Sequence, residues 1–313
     1  MGNRKQGTKN TWQEQAKNTA RGVRLRVLDH TVKNNGGYLS QACSAAEILS
    51  VLYEHVMCLG PSEGAMVPVP FAGVPRQGMP QYQTGALYNG PKNPEYDRFI
   101  MSPVHYALVL YALLVEVGRM AEEGLELFNQ DGSTVEMIGA EHSPGHEVTA
   151  GSLGQALSQA GGIAYARKRK KEKGRVWVFM SDGEFQSGQT WEALQALSFH
   201  KLDNIGIYVD VNSQQCDGAM VDVMNVEPLE HRIKFFGARV HRVNGHDVDA
   251  LSCLKDEKPD GRPQVVLAIT NPCQGISLLE KRRPKLHYVR FKDENEQKEY
   301  KNYLNQMQNS TDT

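Results

Sequence analysis

The sequence predicts an α/β protein whose parallel sheet is wrapped by helices on both faces. Apolar runs of strand length recur at 175–180, 205–210, 238–243 and 264–269. Helix-period segments fit between them, near 187–201, 226–236 and 246–255. Strands separated by helices imply parallel crossovers, and a parallel sheet buries both faces. The third observation is positional. Asp182 and Asn212, about thirty residues apart, stand at the C-terminal ends of two of these runs. Ligands of such sheets bind outside those ends.

Residues 1–11 are expected to be a flexible N-terminus. Residues 12–33 read as a helix with Val23, Leu25, Val27, Leu28 and Val32 apolar, broken by Asn34-Asn-Gly-Gly. Ser44-Ala-Ala-Glu47 has the pattern of a capping box. It predicts the start of a helix whose Ile48, Leu49, Leu52, Tyr53 and Val56 share one face. Residues 59–97 are rich in Pro and Gly and show no period. A segment that long reads as a functional or covering loop, and 60–90 stands out as a loop insertion. An apolar helix is expected over 103–120 from Pro103. The Gly145 to Gly154 loop leads into a helix over about 153–173. The tail, 291–313, is polar and reads as a surface helix with a frayed end.

Composition excludes several classes. Net charge is −1, with 40% of residues apolar. No general attraction to nucleic acid or to an acidic membrane follows. The basic run Arg167-Lys-Arg-Lys-Lys-Glu-Lys reads as a solvated helix end favoured by the helix dipole. Cys43, Cys58, Cys216, Cys253 and Cys273 show no C-x-x-C pairing, so a reducing cytoplasmic setting is expected. No apolar stretch is long enough to span a bilayer.

The chemistry concentrates at two strand tips. Arg175-Val-Trp-Val-Phe-Met-Ser delivers Asp182, and Ile205-Gly-Ile-Tyr-Val-Asp-Val delivers Asn212. Gly183 allows close approach of backbone to an anion. The helix starting near Ser187 offers free N–H groups to phosphate. A carboxylate, an amide oxygen and the Gln214 carbonyl, with phosphate oxygens, suit Mg2+ or Ca2+. Taken singly, Asp182 reads as an N-cap and Asn212 as a turn residue. Their pairing on two tips favours a cation–diphosphate site.

The run Ser181-Asp-Gly-Glu…Asn212 resembles the thiamine-diphosphate motif, normally Gly-Asp-Gly followed some thirty residues later by Asn. Ser181-Asp-Gly-Glu-Phe-Gln-Ser-Gly-Gln-Thr-Trp-Glu-Ala resembles the N-terminal half of transketolases. So do Pro144-Gly-His-Glu-Val-Thr-Ala-Gly-Ser-Leu-Gly-Gln155, Asp97-Arg-Phe-Ile-Met-Ser-Pro-Val-His105 and Gly245-His246-Asp247. The resemblance runs in order over about residues 12–290. It implies a diphosphate-binding domain of the thiamine-diphosphate-binding fold over that span. It implies thiamine diphosphate with Mg2+ or Ca2+, the metal held by Asp182, Asn212 and the Gln214 carbonyl. Backbone groups of Gly183 and Glu184 would meet the diphosphate, and Gly151 and Leu153 the thiamine. His105 would face the diphosphate or the reaction centre, and His287 is the counterpart of a late family histidine. These two are the expected catalytic residues, while His142 and His146 read equally as surface residues or substrate contacts.

A full transketolase also carries a pyrimidine-binding domain, whose glutamate activates the cofactor. The resemblance therefore implies a subunit inactive alone, completed by a C-terminal pyrimidine-domain subunit in an α2β2 heterotetramer. Its activity would be transfer of a C2 ketol unit from a small ketose. Several positions depart from the family pattern. Ser181 replaces a glycine, and Val104 replaces the glycine before the histidine. Asn35 stands near a usual substrate histidine, and Ser187 stands where many members have glutamate. These changes favour a retained cofactor with a specialised substrate. Two other readings stand beside this one. One is the decarboxylating E1 component of a 2-oxoacid dehydrogenase, with which Gln214-Gln-Cys-Asp-Gly-Ala is compatible. The other is a catalytically inactive scaffold subunit.

Overall fold

A computed structural model describes residues 11–74, 76 and 83–309. Part of the 60–90 insertion, residues 75 and 77–82, lies outside the described residues, as do 1–10 and 310–313. Five parallel strands form the central sheet in the order β1-β2-β3-β7-β6. They are β1 (Arg98–Met101), β2 (Val176–Ser181), β3 (Ile205–Val211), β6 (Arg239–Asn244) and β7 (Gln264–Ile269). A short antiparallel pair, β4 (Gln214–Gln215) and β5 (Gly218–Ala219), makes a hairpin directly after β3.

The strand period sorts side chains to two faces. Phe99, Met101, Trp177, Phe179, Tyr208, Val266 and Ala268 enter one core. They pack against α1 (Trp12–Asn34), α2 (Leu39–Val51), α3 (Ala107–Glu116), α4 (Glu122–Glu126), α9 (Val248–Leu251) and α10 (Glu294–Asn309). Ile100, Val176, Val178, Met180, Ile205, Ile207, Val209, Val265 and Leu267 enter the other core. That face is covered by α5 (Gln155–Lys170), α6 (Gly188–Phe199), α7 (Met220–Val223) and α8 (Leu229–Phe235). Both faces are thus helix-covered, as the continuous apolar strands require.

Local signals explain the first helix. Thr11 caps α1 in a reciprocal box with Glu14. Asn35 ends it in the left-handed region at φ 51°, a conformation Asn tolerates. Its side-chain oxygen accepts from the Phe291 N–H at 3.0 Å, so Asn35 serves chain closure.

Several expectations are corrected. The Ser44-to-Glu47 pattern does not open a helix, because α2 starts at Leu39 and Ser44 is buried in its middle. The 103–120 helix is shorter: a single 3-10 turn, Val104–Tyr106, precedes α3, which ends at Glu116. The four-residue strand β1 and the β4–β5 hairpin had no sequence forecast. The tail forms α10, but as a docked helix. Tyr300 and Leu304 are buried, and Gln297 Nε2 donates to the Val32 carbonyl of α1 at 2.7 Å.

Candidate functional site

Adjacent strand tips carry the polar side chains. β2 pairs with β3 in a register that sets Ser181 opposite Asp210, so Asp182 and Asn212 follow on neighbouring tips. β1 lies on the other side of β2 and leads into Ser102 and His105. The tip of β7, beside β3, presents Thr270.

Three carboxylates are buried here, with different company. Asp182 Oδ2 accepts from the Ser213 N–H at 2.8 Å. No lysine, arginine or histidine pairs with it among the described residues. Burial, then the charge of Asp210, holds its carboxyl well above the usual range. Glu184 is saturated. It accepts from the Gly154 N–H at 3.0 Å, the Ser181 N–H at 2.8 Å and the Ser102 hydroxyl. It thereby ties the β1 and β2 tips to the glycine loop. Asp210 accepts from the hydroxyls of Ser44, Tyr106 and Thr270 and from Asn212 Nδ2. Burial raises both of these carboxyls too, against the lowering effect of their hydrogen bonds.

Asn212 and Asp182 clasp one turn. Asn212 Oδ1 accepts from the Gln214 N–H at 2.9 Å, and Asp182 accepts from the neighbouring Ser213 N–H. Gln214 Oε1 is buried without a hydrogen-bond partner among the described residues. Gly183 sits beside Gln215, whose side-chain nitrogen lies 2.9 Å from where a Cβ would stand. Ser181 keeps an extended backbone (φ −105°, ψ 155°), so a side chain is accommodated where the motif has glycine. Gly151 and Leu153 are exposed on the loop that Gly154 anchors.

His105 and His287 meet, although 182 residues of sequence separate them: their ring centroids are 5.1 Å apart. Tyr38 joins them, at 5.9 Å from His105 and 5.5 Å from His287. The segment carrying His287 is fixed by the Gly37–Val289 bridge and by Gln41 Nε2, which donates to the His287 carbonyl at 3.1 Å. Burial and the facing His287 lower His105 to about 3, and burial lowers His287. Both rings are therefore neutral bases near pH 7. Tyr38 thus takes the place beside these histidines. A groove of about 1170 Å³ along α1 reaches Tyr38 and Tyr288 but is not lined by Asp182 or Asn212.

His146 and His142 lie elsewhere. His146 is a fully buried core residue, its Nδ1 3.2 Å from the Pro144 carbonyl. His142 pairs with Glu136 at 3.1 Å and packs on Phe71. Sequence reading missed Asp210, Ser44, Tyr106 and Thr270. An aspartate inside the apolar run Ile205–Val211 was the available signal, since an unmatched buried carboxylate needs donors.

The fold and these tips define a diphosphate-binding class of α/β protein. Residues 81–295 match the model of the transketolase thiamine diphosphate binding domain, so the chain belongs to the transketolase family. A transketolase family protein of Sinorhizobium fredii is 35% identical over 278 residues, covering 87% of this chain and 88% of its own. An apulose-4-phosphate transketolase subunit of Actinobacillus succinogenes is 36% identical over 207 residues, 64% of this chain and 75% of that one. The solved transketolase of Campylobacter jejuni superposes with a TM-score of 0.71 at 25% identity. It covers 95% of this chain, which spans 43% of that structure. No helix among the described residues is long and apolar enough to cross a membrane.

Proposed function

We propose that this chain is the diphosphate-binding subunit of a two-subunit, transketolase-like transferase. Its working unit is residues 12–290, and a separate pyrimidine-domain subunit completes each site, two copies of each forming a heterotetramer. The observation that carries this reading is the buried, cation-less Asp182 beside the Asn212 oxygen, on neighbouring tips of a transketolase-family domain. The Actinobacillus succinogenes relative, itself named as one subunit of a transketolase, supports the split architecture.

The donor set fits a hard divalent cation. A buried carboxylate without a cationic partner is costly, and a cation removes that cost. Asp182, Asn212 Oδ1 and the Gln214 carbonyl would hold Mg2+ or Ca2+, and backbone groups at Gly183 and Glu184 would meet the diphosphate. Gly151 and Leu153 would contact the thiamine by their backbones. Thiamine diphosphate, when bound, supplies an electron sink for the cleaved C–C bond of a ketose. The chain's own residues position and exchange protons. His105 and His287, neutral and close together, are placed to accept or return a proton at a substrate hydroxyl. Tyr38 packs beside both rings. With Val104 and Ser187, it favours a C2 donor other than the common sugar phosphates.

Calorimetry with thiamine diphosphate and Mg2+, followed by a ketol-transfer assay, tests the proposal. Cofactor uptake by the assembled pair, with turnover only when both subunits are present, is expected. Ketol transfer by this chain alone, or no cofactor uptake by the pair, overturns it.

A further inference from the structure

We propose that Asp210 is a positioning residue for the divalent cation, selecting which end of the Asn212 amide faces the metal. This rests on the reading above that Asp182 and Asn212 hold the ion. Asp210 is fully buried and takes donors from four elements. Ser44 comes from α2, Tyr106 from the turn after β1, Asn212 from the end of β3, and Thr270 from the end of β7. A carboxylate has about four acceptor sites. Three of its donors crowd Oδ2, the oxygen that meets Asn212, and Thr270 holds Oδ1, so Asp210 is engaged by protein on both oxygens and acts through Asn212.

The discrimination follows from donor and acceptor chemistry. Asn212 Nδ2 lies 3.1 Å from Asp210 Oδ2, 3.1 Å from the Tyr106 hydroxyl and 3.4 Å from Ser44 Oγ. The two hydroxyls can donate or accept, so alone they tolerate either orientation of the amide. Asp210 accepts from every one of its partners, so it presents an acceptor to Asn212 and rejects an amide oxygen. On the other side, the Gln214 N–H at 2.9 Å requires the oxygen. Reversing the amide would set oxygen against carboxylate and NH2 against N–H. The nitrogen is thus locked inward and Oδ1 outward, where one lone pair remains after Gln214. A cation needs that oxygen, and an NH2 group in its place repels it.

Mn2+ serves as the probe, its affinity measured by electron paramagnetic resonance on the assembled pair of subunits with thiamine diphosphate present. Asp210→Asn is nearly isosteric but no longer acceptor-only, and a 10- to 100-fold weaker Mn2+ affinity is expected, on the order of other outer-shell losses. The double variant D210N/N212D keeps the total charge. It gives position 212 an oxygen in either orientation and gives position 210 a donor to it. It is expected to bind Mn2+ at least tenfold tighter than Asp210→Asn, on the order of that same outer-shell effect. A second carboxylate ligand tightens Mn2+ binding by itself, so Asn212→Asp alone is the reference. A merely structural role for Asp210 predicts the same loss from Asp210→Asn whether position 212 is asparagine or aspartate, whereas the inference predicts that the loss largely disappears with aspartate there. Wild-type affinity in Asp210→Asn, or an equal loss in both backgrounds, overturns the inference while leaving the metal site standing. Failure of the wild-type pair to take up Mn2+ overturns the metal reading and this inference with it. Should Asp210→Asn not fold, Asp210→Ser decides by the same comparison.

Discussion

Glu184 offers the sharpest test of how the three tips are held together. Replacing it with alanine removes the acceptor for the Gly154 and Ser181 N–H groups and for the Ser102 hydroxyl, all in a fully buried setting. Each buried donor left unpaired costs about 1–3 kcal/mol. The Ser102 hydroxyl can rotate to a new partner, whereas the two backbone donors cannot, so two full penalties and part of a third apply. Burial raises the Glu184 carboxyl above its ordinary range, so removing the charge returns part of the loss. A net destabilisation of about 3 kcal/mol follows. Glu184→Gln keeps one carbonyl but turns an NH2 toward one of the N–H groups, and should cost about 1–2 kcal/mol. Urea unfolding at pH 7, read by tryptophan fluorescence and far-UV circular dichroism, measures both. A loss below about 1 kcal/mol in Glu184→Ala would refute the claim that this carboxylate ties β1, β2 and the glycine loop.

Other perturbations separate function from stability. Asp182→Asn keeps an oxygen for the Ser213 N–H, and a carboxyl that burial holds well above its usual range has little charge to lose, so the metal-free chain should change in stability by no more than about 1 kcal/mol. Cofactor uptake with Mg2+ should fall at the same time, and uptake equal to wild type would remove Asp182 from the metal site. His146 is lowered to about 4 by burial, while the unfolded chain titrates near its ordinary value. The unfolded state therefore binds the proton first, and stability should fall by about 3 kcal/mol as pH drops from about 6.5 to 4. Unfolding midpoints across that range should flatten in His146→Gln, and an unchanged slope would point to other groups. Glu47→Ala leaves buried Arg24 without its carboxylate and His246 without its acceptor, and should cost about 3–5 kcal/mol in a thermal or urea melt. Tyr38→Ala removes the ring packed beside His105 and His287, and in the proposed two-subunit enzyme should raise KM for the C2 donor about tenfold, the worth of one aromatic contact. An unchanged KM would remove Tyr38 from the substrate path.

What the sequence made legible follows from burial. Strands β2, β3 and β7 are almost wholly buried, so their apolar runs were continuous and their ends fell within a residue of the forecast. β1 has four residues, too few to show a period. The start of α2 was misread because Ser44 and Glu47 mimic a capping box while doing tertiary work. Ser44 bonds Asp210 beneath the helix, and Glu47 bridges Arg24 and His246. Tertiary demand thus fixed residue types that local rules assign to a helix start. Asp182 and Asn212 were found because glycine and strand ends frame them. Asp210 sits two residues before Asn212, hence on the same side of its strand, yet little local marks it, since three of its four donors come from distant segments. The meeting of Tyr38 with His287 is set by the Gly37–Val289 bridge, a contact across most of the chain.

The three buried carboxylates of the tips differ in how their charge is answered. All three lie where charge is expensive. Glu184 and Asp210 have that charge answered by hydroxyl, amide and N–H donors drawn from several elements, so each is a structural anchor. Asp182 receives backbone N–H groups alone, and the neighbouring Asp210 adds repulsion. Two anionic groups so near each other hold both charges only if a positive charge enters between the tips, or one of them keeps a proton. The hydroxyls around Asp210 stabilise its ionised form, which leaves Asp182 as the group whose state depends on an ion. Metal binding should therefore release a proton from Asp182. Calorimetry of Mg2+ and thiamine diphosphate uptake in two buffers of different ionisation enthalpy measures that release. A buffer-dependent heat is expected, and no buffer dependence would mean that Asp182 is already ionised without the cation.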